Sequence, residues 1–260
     1  MRTDLTTCAP ASISVLFLFA HQDDEFGVLH QIEMELKSGA SVYCAYVTSG
    51  VSSGADARRR NVESRNVLES LGVDPPQILF QGEKLNIPDG QVLMNVGTLG
   101  KWLNVWTQQH QPLRTIYVPA WEGGHPDHDV LHAVTIQTMQ SGSSKVKIWQ
   151  YPLYNCDGLG WGLFKVLTPL PLNGDVFLQR IPWPARWRHL MLCLSYVSQT
   201  KSWIGLYPFV LWHYLTRGCQ SLQPISHTRL LEPPHSGQLY YEFRGFAEWE
   251  RVFSLLRQGT

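Results

Sequence analysis

"LFLFAHQDDEFGVLHQ", residues 16–31, runs five apolar or small residues straight into His21, Gln22, Asp23, Asp24 and Glu25. A short apolar run bounded by polar residues reads as a buried strand. Three carboxylates and an imidazole at its end are expensive, because like charges repel and partly buried carboxylates need a cation to neutralise them. Amphipathic periodicity resumes near Phe26, so the stretch is the strand, loop and helix that open an α/β unit. The question it raises is which cation the loop meets.

Outward from this point the same alternation continues. The pattern predicts strands over Ile13–Phe19, Val42–Val47, Gln77–Phe80, Thr115–Val118 and Val146–Gln150. Between them it predicts helices near Phe26–Lys37, Ala57–Leu71, Val92–Gln109 and His128–Met139. Such alternation signals a mostly parallel sheet with crossover helices. Gly39 and Gly72 fall just past two of these helices, where a C-cap glycine belongs. After about Pro152 the pattern breaks into segments rich in Pro, Trp and Tyr, with one further helix expected around Arg186–Thr200. No flexible linker marks the boundary. The chain therefore reads as one α/β domain, a core over residues 1–154 with flanking helices and an elaborated C-terminal cap over residues 155–260.

Composition narrows the function. With 260 residues and 44% hydrophobic content the chain can bury a full core. Lys plus Arg and Asp plus Glu both number 21, which leaves no global field to gather nucleic acid or an anionic membrane. Cys8, Cys44, Cys156, Cys193 and Cys219 are odd in number, scattered and form no CxxC pair, as expected of reduced thiols in a cytoplasmic protein. "ISVLFLFA" has only Arg2 before it, opposed by Asp4, and runs into carboxylates, so it reads as a strand and not a signal peptide. "WIGLYPFVLWHYL", residues 203–215, is too short to span a bilayer and contains Pro208. It is expected to pack on the core; the alternative is an exposed apolar patch for an oligomer contact or a hydrophobic substrate group.

A second polar cluster answers the first. "VPAWEGGHPDHDVLH", residues 118–132, again follows a strand and opens a helix. Pro126 suits the first helical position, which leaves His125 in the loop and His128 in the first turn. Ligands of open α/β sheets bind outside the carboxyl ends of the strands, and both clusters reach that edge. Imidazoles and carboxylates there are the ingredients of a catalytic zinc site, in which three protein ligands leave a position open for water. Adjacent aspartates diverge, so one of Asp23 and Asp24 can bind metal while the other takes a proton. The residues alone do not say which.

"AHQDDE" followed by "GGHPDHD", with "RNVESRNVLESLGV" between them, resembles the paired signature of the LmbE-like, PIG-L-type N-acetylglucosamine deacetylases, over roughly residues 13–150. The resemblance implies a Rossmann-like fold, with zinc held by His21, Asp24 and His128. It makes Asp23 the general base and gives His125 the task of polarising the carbonyl or stabilising the oxyanion. It also implies that Arg60 lies near the substrate and that Asp89, in "IPDGQ", meets a sugar hydroxyl. From the residues alone, Arg60 could instead pair with Glu63 on a shared helix face, and Asp89 could serve only its turn. Trp121 is a candidate to pack on a sugar ring, with loop anchoring as the alternative. His132, four residues after His128, reads as a supporting or core histidine. Two departures from the family pattern stand out. Gln22 replaces a usual proline, which is expected to loosen the turn, and Ser49-Gly50 stands where Asp-Gly is frequent.

The expected activity is removal of an N-acetyl group from an N-acetylglucosamine-type sugar or its conjugate, giving acetate and a free amine. Zinc is the expected metal, with Fe(II) also suited to two histidines and a carboxylate. The expected partner is that small molecule, with no nucleic acid, no transmembrane segment and a possible homo-oligomer. The rivals are an amidase acting on another N-acyl conjugate and a non-catalytic sugar-binding protein. Intact Asp23 and His125 argue against the latter.

Overall fold

Strand β1 (Ser14–Phe19) is buried along its whole length and lies inside a seven-stranded sheet, third from one edge. The computed structural model describes residues 13–140, 146–159 and 163–258. β1 pairs in parallel with β2 (Ser41–Tyr46) and β4 (Leu113–Pro119). Beyond them β3 (Ile78–Phe80) and β5 (Lys147–Tyr151) are added, also in parallel. A strand covered on both faces has no polar side, which is why "SVLFLF" is continuous and not alternating. Its side chains still alternate in direction. Phe17 and Phe19 join a core with Leu29 and Ile32, whereas Leu16 and Leu18 join a second core with Leu99, Leu103, Val130 and Val134.

The crossover helices are α1 (Leu29–Lys37), α2 (Arg58–Leu71), α4 (Val96–Gln109) and α5 (Pro126–Gln140), with a short α3 (Gln81–Leu85) after β3. All five expected strands lie within two residues of their observed bounds. Two helices start later than expected, because 3-10 turns over Asp24–Gly27 and Val92–Asn95 precede α1 and α4. Gly72 ends α2 in the left-handed region at φ 103°, the conformation that favours glycine there.

The C-terminal part extends the sheet as well as covering it. Strands β6 (Tyr154–Asn155) and β7 (Lys165–Val166) form a small ladder of their own. β8 (Phe177–Arg180), α6 (Trp183–Cys193) and α7 (Thr200–Thr216) follow. β9 (Cys219–Pro224) then pairs antiparallel with β5, and β8 pairs with β9, giving the order β3-β2-β1-β4-β5-β9-β8. Short α8 (Tyr240–Phe243) and α9 (Trp249–Gln258) end the described chain. The single helix expected over Arg186–Thr200 is in fact the end of one helix and the start of another. α7 takes Pro208 into its interior and buries Trp203, Val210, His213 and Tyr214 while Ile204, Phe209, Trp212 and Leu215 face out. The apolar segment is therefore half core and half surface. Cys44, Cys156, Cys193 and Cys219 are free thiols; Cys8, Arg2 and Asp4 lie outside the described residues. No described helix is long and apolar enough to cross a membrane.

Candidate active site

β1 and β4 are neighbours in the sheet, so the loops that follow them meet at one edge. The first loop is fastened by Thr48, whose hydroxyl donates to the Ala20 carbonyl at 2.6 Å. The second passes so close to the start of β6 that a Cβ on Gly124 would lie 2.1 Å from the Tyr154 carbonyl oxygen. Only glycine permits this approach, and it delivers His125 and His128 opposite His21.

Asp24 stands between two histidines. Its Oδ1 is 3.2 Å from His128 Nε2, and its Oδ2 is 3.7 Å from His21 Nδ1 while accepting the His21 backbone N–H at 2.8 Å. His21, His125 and His128 each place a ring nitrogen within 4.8 Å of the others. A second cluster shares His21, whose Nε2 lies 3.0 Å from Asp89 and 3.2 Å from Asp127. Asp127 is itself fixed by the N–H groups of Gly90 and Val92 at 2.7 and 3.1 Å. Nδ1 of His128 is buried with no hydrogen-bond partner. Tyr154 and Phe246 stand edge-on to His128 and obliquely to His125, so the C-terminal part supplies aromatic walls.

Asp23 points elsewhere. Its backbone sits at φ 112°, a strained conformation for a residue with a side chain and one that collects at functional sites. The turn is held by the Asp23 N–H donating to Glu25 at 3.0 Å and by Arg60 donating to the Gln22 carbonyl at 2.6 Å. Oδ2 of Asp23 accepts the indole N–H of Trp203 at 3.2 Å, and Oδ1 lies 3.5 Å from Arg60.

These environments split the two carboxylates. Burial pushes the Asp23 carboxyl up to about 7, with Arg60 opposing and the charges of Asp24 and Glu25 adding to the rise. Burial would raise Asp24 too, but His128 and His21 outweigh it and hold its carboxyl well below the usual range. Desolvation, and then the charge of His21, lower His125 to about 3, so its imidazole is neutral. Asp89 also lies below the usual range, since His21 outweighs its burial.

Residues 16–139 match the family model described as "PIG-L: GlcNAc-PI de-N-acetylase". A PIG-L (LmbE-like) domain therefore spans residues 16–139. No curated protein matches it at a significant level. Solved structures share its fold at low identity. A deacetylase of teicoplanin biosynthesis has a TM-score of 0.64 at 14% identity, covering 82% of this chain and 98% of its own. The zinc-inhibited form of a teicoplanin deacetylase gives 0.63 at 14% identity with the same coverage. N,N'-diacetylchitobiose deacetylase from Pyrococcus horikoshii gives 0.61 at 17% identity, covering 82% of this chain and 83% of its own.

Against this PIG-L frame, the structure brings His21, Asp23, Asp24, Asp89, His125 and His128 together at one sheet edge. Arg60 joins them by its contacts with Gln22 and Asp23. It makes no pair with Glu63, which instead accepts the Ser198 N–H at 2.9 Å and Arg59 at 3.3 Å. Trp121 is corrected. It is fully buried, donates its indole N–H to the Glu232 carbonyl at 3.1 Å and packs on Trp249, so it anchors its loop and offers no face to a sugar. Gln22 does not loosen the turn as expected. Its buried amide donates to Ser49 at 3.2 Å and Asn61 at 2.7 Å, tying the first loop to β2 and α2. His132 is a core residue whose Nδ1 lies 2.9 Å from the Pro119 carbonyl.

Two residues at the site were missed. Asp127 was within reach, since it lies inside "GGHPDHD" in the first turn of α5. Trp203 carries no signal, because 180 residues separate it from Asp23 and only the fold brings them together.

Proposed function

We propose that this PIG-L enzyme is a metal-dependent hydrolase that removes the acetyl group from an N-acetylated amino sugar or its conjugate, with His21, Asp24 and His128 holding the metal. The observation that carries this reading is the division of labour between adjacent carboxylates. Asp24 is locked between two imidazoles, whereas Asp23 turns away onto Trp203 and Arg60. Two imidazoles and a low-lying carboxylate are a donor set that fits zinc or Fe(II). His128 faces Asp24 through Nε2 at 3.2 Å, and its buried Nδ1 has no hydrogen-bond partner, which supports a ring held for a ligand. A metal bound there supplies Lewis acidity toward the acetamide carbonyl and the attacking water.

The chain's own groups account for the rest. Asp23 Oδ1 or Oδ2 takes the proton of the attacking water, a task suited to a carboxyl raised toward neutrality, and returns it to the leaving nitrogen. Arg60 and Trp203 keep that carboxylate oriented. Neutral His125 faces the oxygen on which negative charge develops and can donate to it, which is worth about 3 kcal/mol for donors of this kind. Asp127, anchored by two backbone N–H groups, orients His21 through Nε2. Aromatic walls from Tyr154 and Phe246 exclude water from one side. The teicoplanin and diacetylchitobiose deacetylases, which share the fold, support an amino-sugar amide as the substrate class.

The decisive experiment combines metal content with acetate release on a panel of N-acetylated sugars and conjugates. Purified protein should carry about one metal ion per chain, and His128→Ala should lose it together with activity. Full metal retention in that variant would overturn the ligand assignment.

A further inference from the structure

Large apolar side chains that remain in water gather on α6 and α7. On α6 and its C-cap, Trp183 (59% exposed), Trp187 (65%), Met191 and Leu194 recur at helical spacing, away from buried Arg186, Leu190 and Cys193. On α7, Ile204 (72% exposed) and Trp212 (68%) lie with Phe209 and Leu215 away from buried Trp203, Val210 and Tyr214. The end of α6 and the first half of α7 border a groove of about 400 Å³ lined by Leu194, Val197, Ile204, Tyr207 and Pro208. The two stripes therefore open onto one surface. Each helix already buries one apolar face in the fold, and a second one left in water marks an interaction surface.

Charge identifies the occupant. Between Asp175 and Glu232 the chain has no Asp or Glu, but six Lys or Arg. Arg186 is buried on the Ile181 and Tyr214 carbonyls, Arg188 pairs with Glu33 of α1, and Arg229 closes on Glu232. Arg180, Lys201 and Arg217 are exposed, and Lys201 stands one turn before Ile204 on α7. Glu63 of α2, which also reaches this segment, is taken up by Ser198 and Arg59. The zero net charge of the whole chain thus averages over a segment that is purely basic. Two copies meeting here by a two-fold contact would set like charges against each other. An anionic bilayer suits both features: Trp rings at headgroup level, apolar side chains against the acyl boundary, and Lys and Arg on the lipid phosphates.

We propose that the α6–α7 face docks the protein on an anionic phospholipid membrane as a peripheral, non-spanning contact. The inference goes beyond the deacetylase reading and does not depend on it. The test is co-sedimentation of the full chain with vesicles of phosphatidylcholine, alone or mixed with phosphatidylglycerol. Wild type should pellet with the mixed vesicles, and added salt should release it. Trp187→Ser combined with Trp212→Ser should lower partitioning by about a hundredfold, and Lys201→Glu by about tenfold. Circular dichroism and melting of each variant should match wild type, since all three positions are exposed. Should the double tryptophan variant misfold, Lys201→Glu and Arg180→Glu still decide the matter through salt-sensitive binding. Failure of wild type to pellet with mixed vesicles at low salt overturns the proposal. So does equal pelleting of wild type and the charge variants, or a dimer in light scattering that Trp212→Ser dissociates, which would give the face to a second copy.

Discussion

Asp23 and Asp24 are chemically identical and one peptide bond apart, yet the fold sends them into opposite environments. The strained backbone at Asp23 turns its side chain out of the histidine cluster, and Trp203 and Arg60 receive it. Asparagine tolerates the left-handed region, so Asp23→Asn is expected to fold and keep its metal while losing at least about a hundredfold in kcat. Near-wild-type kcat would remove Asp23 from the proton transfer. Trp203 is a positioning residue, sandwiched by Tyr196 at 5.5 Å and Phe26 at 5.4 Å. Trp203→Phe keeps an aromatic ring there and deletes only the N–H. A hydrogen bond to a charged group contributes roughly 1.5–3 kcal/mol, so kcat should fall by about tenfold or more with KM and metal content steady. A change confined to thermal stability would reduce Trp203 to packing.

At the scale of elements, the site depends on how closely loops approach. Gly124→Ala would drive a Cβ to 2.1 Å from the Tyr154 carbonyl, and backbone cannot yield as a side-chain tip can. The loop carrying His125 must shift, at a stability cost on the order of 3 kcal/mol. Lower Tm and lower kcat should appear together. Gly97→Ala is the contrast: it lies inside α4 with nothing within 4 Å of the added Cβ, so stability should rise by about 0.5–1 kcal/mol with activity unchanged. The elements that carry these loops were legible because apolar runs, glycine C-caps and Pro126 mark them directly. β9 was not, for a physical reason. Its sequence "CQSLQP" is polar yet buried, and Gln223 meets that burial by donating to the Leu170 and Gly174 carbonyls at 2.9 and 2.8 Å. Hydrophobic periodicity cannot report a strand whose buried side chains are themselves polar. The same limit hid Trp203 from the candidate site and promoted Trp121 into it, since an indole in a loop sequence does not disclose which way the loop folds.

Across the whole molecule, buried titratable groups set opposing pH dependences. Burial lowers His132 to about 4, although its bond to the Pro119 carbonyl works the other way. Burial also lowers His189 to about 3, aided by His30 and Arg188. Both values lie below the ordinary 6.5, so the unfolded chain takes up these protons first. Their contribution to stability is fully present above 6.5 and is lost as pH falls toward the folded values. Glu122 runs the other way. Burial raises it from 4.5 to about 7, against the N–H groups of Leu153 and Tyr154, so its contribution is present below 4.5 and lost as pH rises through 7. Between 4.5 and 6.5 Glu122 cancels one histidine and leaves the other, so these three groups should make wild-type Tm fall on acidification with a slope of about one proton. His132→Gln removes one of them. The variant can still donate to Pro119 but has no proton to gain on unfolding, so it should melt below wild type near neutrality and approach it on acidification. Calorimetry of both proteins from about pH 8 to about pH 4 reads this directly. Parallel Tm curves would mean that His132 titrates alike folded and unfolded, and that the acid limb belongs to His189.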